Sequence, residues 1–132
     1  MILCCGEAVI DMLPSATASR EVAFQPVTGG AAVNAAIALA RLEQPVGFFG
    51  GLSQDRFGEM LSDAMRREGV DLGRVTRDVA PSTLAFVHPG AGTQQFSFFD
   101  QGSAGRGLAI GAIPQLDGVE ALVFGGLSLI HR

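Results

Sequence analysis

The sequence predicts an α/β fold, in which a parallel sheet with flanking helices carries a smaller β segment beside it. Three observations support this prediction. Nearly continuous apolar runs, typical of strands buried on both faces, alternate along the chain with helical patterns. Two further β-like segments fall outside that alternation. The length of 132 residues fits one ordinary domain.

The first element is an apolar run over residues 2–10, which lacks the two-residue alternation of a half-exposed strand. It predicts a strand buried in the main sheet, with Asp11 at its end. Residues 14–28 are polar and irregular, and residues 21–24 within them form a short candidate strand. We therefore expect the chain to leave the main sheet after its first strand.

A helix is predicted over residues 31–42, directly after Gly29 and Gly30. This segment is rich in alanine and contains neither glycine nor proline, so its helix propensity is high. It is apolar almost all round, and only Asn34 and Arg41 interrupt it. Such a pattern predicts a buried helix.

A second strand is predicted over residues 46–49, followed by a second helix for which Ser53 is a plausible N-cap. Acidic residues near the start of this helix, and Arg66 and Arg67 in its last turn, agree with the helix dipole. Gly69 is placed as the left-handed residue after the helix. The predicted apolar stripe consists of Phe57, Leu61, Ala64 and Met65.

Two strands are predicted over residues 83–88 and 95–99, joined by a glycine-containing hairpin loop over residues 89–93. A last apolar run, over residues 121–124, predicts a further strand of the parallel sheet. The order strand, helix, strand, helix and later strand is that of a parallel α/β sheet, and the remaining β segments form the smaller unit beside it.

The composition excludes several classes of function. A net charge of −4 and an isoelectric point near 5.0 argue against a nucleic-acid or anionic-membrane partner. All nine basic residues are arginine, which excludes chemistry that needs a lysine. No apolar run reaches the ~18 residues of a membrane span. Cys4 and Cys5 predict buried thiols, so we expect a cytoplasmic protein.

Common catalytic motifs are missing from the sequence. The glycine-rich dinucleotide and phosphate loops, the paired-cysteine zinc pattern and the histidine zinc motif do not occur. Ser128 follows Gly126 as in a nucleophile elbow, but Ile130 stands where that motif needs a glycine. We therefore disfavour a serine hydrolase.

A candidate ligand site remains at the predicted strand ends, where open α/β sheets bind their ligands. It consists of Asp11, Gly29, Gly30 and Asn34. A carboxylate accepts hydrogen bonds from adjacent hydroxyls, an amide donates and accepts, and glycines expose backbone N–H groups, so the set suits a polyol. Alternatively, the aspartate is a solvated turn residue, the glycines form a simple loop, and a backbone carbonyl satisfies the amide.

The order of motifs identifies a family resemblance. The segments GEAVID, GGAAVNAAIALARL, GFFGGLSQDRFG, STLAFV and FGGLSLI together resemble the N-terminal part of the ribokinase-like, or pfkB, carbohydrate kinases. Within that family the sequence is most similar to bacterial fructokinases and the neighbouring 2-keto-3-deoxygluconate kinases. The resemblance implies that residues 1–132 are the N-terminal portion of one ribokinase-like domain, with an incomplete parallel sheet and a small β lid.

The resemblance also implies a sugar site and a lid. The four candidate residues named above would line the site, and segments at about residues 12–28 and 83–100 would form the lid. Phe96 or Phe98 would cover the sugar ring, although simple core packing is the alternative for each phenylalanine. In such kinases the lid commonly pairs with the lid of another subunit, which implies a homodimer.

Two positions depart from the family pattern, and one arginine is a further candidate for ligand contact. Glu43 stands where the family has a glycine or serine after the helix, which puts the local cap geometry in doubt. Ser53 replaces a later glycine of the family pattern. Arg106 is a candidate contact for an anionic group of the substrate, and a solvated arginine is the alternative.

The C-terminal GAGD-type motif of the family, which supplies the catalytic aspartate, does not occur in these residues. The complete enzyme would use ATP and Mg²⁺, and we expect this chain alone to be inactive, with no catalytic residue and no cofactor or metal site. An open sheet edge and 48% hydrophobic residues predict aggregation, partnering or poor stability. The expected role is to hold a sugar such as fructose or 2-keto-3-deoxygluconate. The alternative is a non-catalytic sugar-binding or interaction module.

Overall fold

A computed structural model describes residues 1–88 and 93–130 of the chain. Most of the predicted loop over residues 89–93 lies outside the described residues, as does His131. The observed architecture is mixed α/β, with two α-helices beside a main parallel sheet and a second, larger sheet that follows the first strand.

The main sheet has three parallel strands. β1 (Ile2–Gly6) lies between β4 (Val46–Phe49) and β9 (Ala121–Gly125). The predicted parallel sheet is therefore confirmed, but the prediction of one strand over residues 2–10 is wrong. β1 ends at Gly6, whose backbone packs so tightly that an added Cβ would lie 2.8 Å from the Gly125 carbonyl oxygen. The chain then turns and enters the second sheet at Val9.

The second sheet, here called the lid sheet, replaces the irregular region predicted between residues 14 and 28. Its two long N-terminal strands pair along their whole length in antiparallel fashion. Asp11 therefore lies inside a lid strand, and not at the end of a main-sheet strand. The sheet order is β3-β2-β7-β8, with β2 (Val9–Ala16), β3 (Val22–Gly29), β7 (Thr83–His88) and β8 (Gln95–Phe99).

Helix α1 (Ala31–Arg41) matches its prediction to within one residue. Its burial does not match, because only one stripe of the helix, formed by Ala32, Val33 and Ala36, is fully buried. The helix packs on the main sheet from one side, so its remaining alanines and leucines are half-buried or exposed. After the helix, Glu43 adopts a positive φ of 58°, as the family pattern led us to expect of this position.

Helix α2 (Arg56–Arg67) begins after Asp55, and the prediction of Ser53 as its N-cap is wrong. An Asp55 carboxylate oxygen accepts a hydrogen bond from the Gly58 N–H at 2.8 Å. Ser53 is instead the last residue of a short strand, β5 (Gly51–Ser53), which pairs with β6 (Thr76–Asp78). The predicted left-handed Gly69 is confirmed, with a φ of 85°.

Asp55 also ties α2 to the start of β7. Its carboxylate accepts hydrogen bonds from the Ser82 N–H at 2.8 Å and from the Ser82 hydroxyl at 2.7 Å. Partial burial by itself would raise the pKa of Asp55, but the hydrogen bonds from Gly58 and Ser82 outweigh it and hold the pKa below its ordinary value. The ionised carboxylate is thus the form that the fold stabilises.

One hydrophobic core lies beneath both sheets. It joins the main sheet through Phe48, the lid sheet through Ile10, and the two helices through Val33, Leu61 and Met65. The base of the lid sheet is therefore anchored in the same core as the main sheet. Within the part of the chain that the structure describes, no helix is long and apolar enough to cross a membrane.

Candidate functional site

The candidate site lies where β1 ends, between the carboxyl edge of the main sheet and one face of the lid sheet. Two neighbouring cavities open there, with volumes of about 330 Å³ and 460 Å³. Glu7 and Leu127 line both cavities, so the two spaces are adjacent. We call the smaller one the strand-end cavity and the larger one the lid cavity.

The lid cavity brings together Asp11, Gly30 and the aromatic pair Phe96 and Phe98. Asp11 is in register with Ala85 of β7, and Ala85 is in register with Phe98 of β8. Residues in register across a sheet point to the same face, so the carboxylate and the phenyl ring lie on one side of the lid. Of the predicted site residues, the structure places Asp11, Gly30 and Phe98 in this one cavity.

Asp11 carries the polar chemistry of the lid cavity. Its side chain is half-buried, and burial raises its pKa above the ordinary value. No hydrogen bond to its carboxylate occurs within residues 1–88 and 93–130, so both oxygens are available to accept hydrogen bonds from a ligand. The alternative interpretation, a solvated turn residue, is wrong because Asp11 lies within strand β2.

Close packing requires glycine at both positions 29 and 30. A Cβ added to Gly29 would overlap the carboxylate of Asp11. Gly30 has a φ of 102°, and a Cβ there would lie 2.5 Å from the backbone oxygen of Glu7. A side chain at Gly29 would thus fill the space that Asp11 occupies, and one at Gly30 would collide with the backbone. Gly30 lines the lid cavity, whereas Gly29 lines neither cavity.

Asn34 occupies a different environment from the predicted one. The sequence predicts a buried amide that needs an internal partner, but the structure places Asn34 on an exposed face in the first turn of α1. Solvent therefore satisfies the amide without an internal contact. The helix presents only one buried stripe, and this position falls outside it. Asn34 does not line either cavity, and its role toward a ligand stays a prediction.

The strand-end cavity contains an ion pair. Arg106 Nη1 lies 3.4 Å from Asp100 Oδ2, and both side chains line the cavity together with Cys5 and Thr83. The Thr83 hydroxyl donates a 2.9 Å hydrogen bond to the hydroxyl of Ser103. Burial raises the pKa of the Cys5 thiol, so the thiol stays neutral at physiological pH. Arg106 is therefore part of a cavity wall and already faces a carboxylate.

Glu7 is a site residue that the sequence analysis did not single out. Its side chain is 8% exposed and lies at the end of β1, between the two cavities. A Cβ added to Gly126 would overlap its carboxylate, so the chain after β9 packs directly against this acid. The available signal was a single charged residue within the apolar run over residues 2–10.

The phenylalanines of the lid are divided between its two faces. Phe96 and Phe98 stack with ring centroids 5.9 Å apart and face the lid cavity, which confirms that they share one face. On the opposite face Phe86 contacts Phe24 and Phe99 edge to face, at 5.0 Å and 5.5 Å. The lid thus offers one aromatic surface toward the site and another away from it.

Comparison with known proteins identifies the family. Residues 1–126 match the pfkB family of carbohydrate kinases. The chain belongs to this family. The resemblance inferred from the five sequence segments is therefore confirmed, and within the pfkB family several fructokinases are similar to the chain over most of its length.

The fructokinase of Rhizobium leguminosarum bv. trifolii is 47% identical over 131 residues, which are 98% of this chain and 40% of that protein. Fructokinase-1 of Oryza sativa subsp. japonica is 39% identical over 79% of this chain and 34% of its own length. The chain therefore spans about two fifths or less of the length of these pfkB relatives.

A solved structure supports the fold. The fructokinase of Xylella fastidiosa superposes with a TM-score of 0.82 at 36% identity, over 93% of this chain and 39% of that one. A structure of the Xylella fastidiosa enzyme with bound ATP matches with a TM-score of 0.78 at 37% identity, over 86% of this chain and 37% of that one. The predicted α/β fold, with a ribokinase-like parallel sheet and a small β lid, is thus confirmed.

The fold family implies ATP and Mg²⁺, and Mg²⁺ is bound by oxygen ligands such as carboxylates. Within residues 1–88 and 93–130, no three or more His, Cys, Asp or Glu side chains are grouped to hold one. The acids of the two cavities do not form such a group. We therefore assign no chemical step through the metal to these residues.

Proposed function

We propose that this chain is the sugar-binding, lid-bearing portion of an ATP-dependent kinase that phosphorylates a sugar hydroxyl, with fructose as the acceptor. The observation that carries the proposal is the lid cavity, in which the carboxylate of Asp11 and the ring of Phe98 share one face of the lid sheet. The fructokinases among its pfkB relatives support fructose as the first sugar to test.

Each element of the lid cavity has a role in holding a sugar. Asp11 accepts hydrogen bonds from two adjacent hydroxyls, which fixes the orientation of the sugar ring. Gly30 lines the cavity without a side chain, and Gly29 leaves the space that the carboxylate of Asp11 fills. Phe96 and Phe98 place apolar surface over the ring and exclude water, as closure of a lid over a kinase substrate requires.

The phosphoryl-transfer machinery is assigned to other parts of the complete enzyme. ATP and Mg²⁺ supply the phosphoryl group and spread its developing charge when they are bound. The residues of this chain hold and shield the acceptor, so the chain alone has no kinase activity in this proposal. The free thiols of Cys4 and Cys5 are compatible with the reducing cytoplasm in which we place the enzyme.

We also propose that the lid pairs with the lid of a second copy. The face turned away from the site carries Phe99, which is 62% exposed, and Phe24, which is 40% exposed. An exposed aromatic surface on a sheet is typical of an interaction site. The expected assembly is a homodimer in which each lid covers the outer face of the other.

Calorimetric titration with D-fructose tests the proposed function. We expect the chain to bind fructose and the Asp11→Ala variant to bind at least tenfold more weakly, a loss of about 1.4 kcal/mol. Asp63→Ala is the matched control, because Asp63 lies exposed on α2 and outside both cavities. An assay of ATP hydrolysis with fructose present should give no turnover.

Three outcomes would contradict the proposal. Fructose binding that is equally strong in Asp11→Ala would place the sugar elsewhere. No binding by the folded chain would deny it a sugar site of its own. Turnover of ATP by the chain alone would mean that these residues include catalytic groups.

A further inference from the structure

The two cavities hold several carboxylates and one cationic side chain. Arg106 lines the strand-end cavity with Glu7 and Asp100, and the lid cavity adds Asp11. Among the described residues that line these cavities, Arg106 is the sole basic one. A ligand that enters this region therefore meets three acids and one guanidinium.

The guanidinium already faces an acid of the chain. Arg106 Nη1 lies 3.4 Å from Asp100 Oδ2, and the side chains are 34% and 16% exposed. Arginine recognises a ligand carboxylate by directing its planar N–H groups at it. A ligand carboxylate would have to displace Asp100 and leave this largely buried acid without that partner, which is costly.

We propose that Asp100 is a specificity-determining residue, which makes this site select uncharged sugars over sugar acids of the same length. The inference rests on the proposed function and adds that the acceptor sugar reaches from the lid cavity into the adjacent strand-end cavity, which Asp100 and Arg106 line. The hydroxyls of an uncharged sugar donate hydrogen bonds to the carboxylates. A sugar acid is repelled by Glu7, Asp11 and Asp100, while the guanidinium that could offset this repulsion is held by Asp100.

The geometry also explains why one residue can set this preference. Loss of the charge at position 100 removes one repulsive carboxylate and ends the ion pair that Arg106 forms with Asp100. Both changes favour an anionic ligand. Neither change alters Asp11 in the lid cavity, so binding of an uncharged sugar depends less on Asp100 than binding of an acid does.

Titration with a matched pair of sugars tests the inference. D-fructose and 2-keto-D-gluconate differ only at C1, where the acid has a carboxylate in place of the hydroxymethyl group. We expect the chain to bind fructose at least tenfold more tightly than the acid. Asp100→Asn should reduce this ratio at least tenfold, through tighter binding of the acid. Asp63→Asn, an exposed acid on α2, should leave the ratio unchanged and controls for net charge.

A double variant tests the role assigned to Arg106. In Asp100→Asn/Arg106→Gln the gain in acid binding should be smaller than in Asp100→Asn alone, because the guanidinium is gone and only the loss of one repulsive carboxylate remains. If circular dichroism shows that Asp100→Asn does not fold, Arg106→Gln alone is decisive. It should keep the preference for fructose, whereas loss of acid affinity in that variant would show that Arg106 already anchors the acid.

The contrary outcomes separate this inference from the proposed function. A chain that binds fructose with a ratio unaffected by Asp100→Asn overturns the inference and leaves the proposed function intact. If the unmodified chain binds the acid more tightly than fructose, the inference is likewise overturned and the proposed function stays intact. Binding of neither sugar overturns the proposed function, and the inference with it.

Discussion

At the scale of single residues, the two most informative acids have opposite environments. Burial raises the pKa of Asp11, and no group of the described chain donates a hydrogen bond to it. Asp55 is held by Gly58 and Ser82, which lower its pKa despite partial burial. The first arrangement leaves a carboxylate available to a ligand at a cost in stability, and the second fixes the fold.

Glu43 is a residue whose backbone carries strain. Its φ of 58° lies in the left-handed region, where a side chain costs about 1 kcal/mol relative to glycine. Glu43→Gly should therefore raise the free energy of unfolding by up to about 1 kcal/mol. Urea denaturation measures this change. Gln44→Gly is the control, because Gln44 does not have a positive φ and should lose stability when it becomes glycine. Equal changes in the free energy of unfolding in Glu43→Gly and Gln44→Gly would contradict backbone strain at Glu43.

At the scale of secondary-structure elements, the sequence predicts where a strand lies along the chain better than it predicts the sheet to which the strand belongs. The bounds of β4, β7 and β8 match their predictions, because short apolar or alternating runs between turn residues define them locally. The error over residues 2–10 has another cause. Both sheets need apolar strands, so the composition of the run does not reveal that Gly6 and Glu7 separate two of them.

The candidate site was predictable to a similar extent. Asp11, Gly29 and Gly30 stand out in the sequence because a carboxylate and a glycine pair border apolar elements. Glu7 did not, because its burial between two cavities depends on β9, which is more than a hundred residues away. The ion pair of Asp100 with Arg106 likewise depends on how one loop closes, which spacing alone does not determine.

The N-terminus of α2 depends on one side chain. Asp55→Ala removes the cap to Gly58 and both hydrogen bonds from Ser82, and should lower the free energy of unfolding by about 1–2 kcal/mol at neutral pH. Asp63→Ala on the exposed face of the same helix should change it by less than about 0.5 kcal/mol. Urea denaturation at neutral pH compares the two variants.

The same variant has a defined pH dependence. The pKa of Asp55 is lower in the folded state than its ordinary value of 3.8. Its contribution is therefore fully present above pH 3.8 and is lost as the pH falls through the lower folded-state pKa. The difference between the chain and Asp55→Ala should shrink over that acidic range. A difference that stays constant with pH would show that the ionised carboxylate is not the stabilising form.

At the scale of the whole molecule, two apolar surfaces compete as sites of association. One is the outer face of the lid, with Phe99 62% exposed, and the other is the edge strand β9, where Phe124 is 59% exposed. β9 has one neighbour in the described main sheet, so its other edge offers unpaired backbone groups. Either surface, the outer face of the lid or the edge of β9, can bring copies of the chain together.

Sedimentation velocity distinguishes the two surfaces. If the lids pair, Phe99→Ser should weaken the dimer at least tenfold, about 1.4 kcal/mol, because it removes aromatic area from the interface. Phe124→Ser, an equivalent change on β9, should leave the dimer intact and is the matched control. The reverse pattern would mean that association runs through the edge of the main sheet, and would contradict the proposed lid pairing.

The lid sheet is attached along one end only. Its strands enter or leave it at Val9, Gly29, Thr83 and Phe99, which are neighbours across the sheet at the base. The sheet is anchored to the core at its base, and its other end projects away from the core. Deflection of such a body grows with distance from its root. Asp11 lies two residues from this base along β2 and Phe96 lies three residues from it along β8, so bending of the lid sheet would displace Phe96 more than Asp11. A sugar would therefore be recognised by Asp11 near the base of the lid sheet and then be covered by Phe96, which is farther from the base.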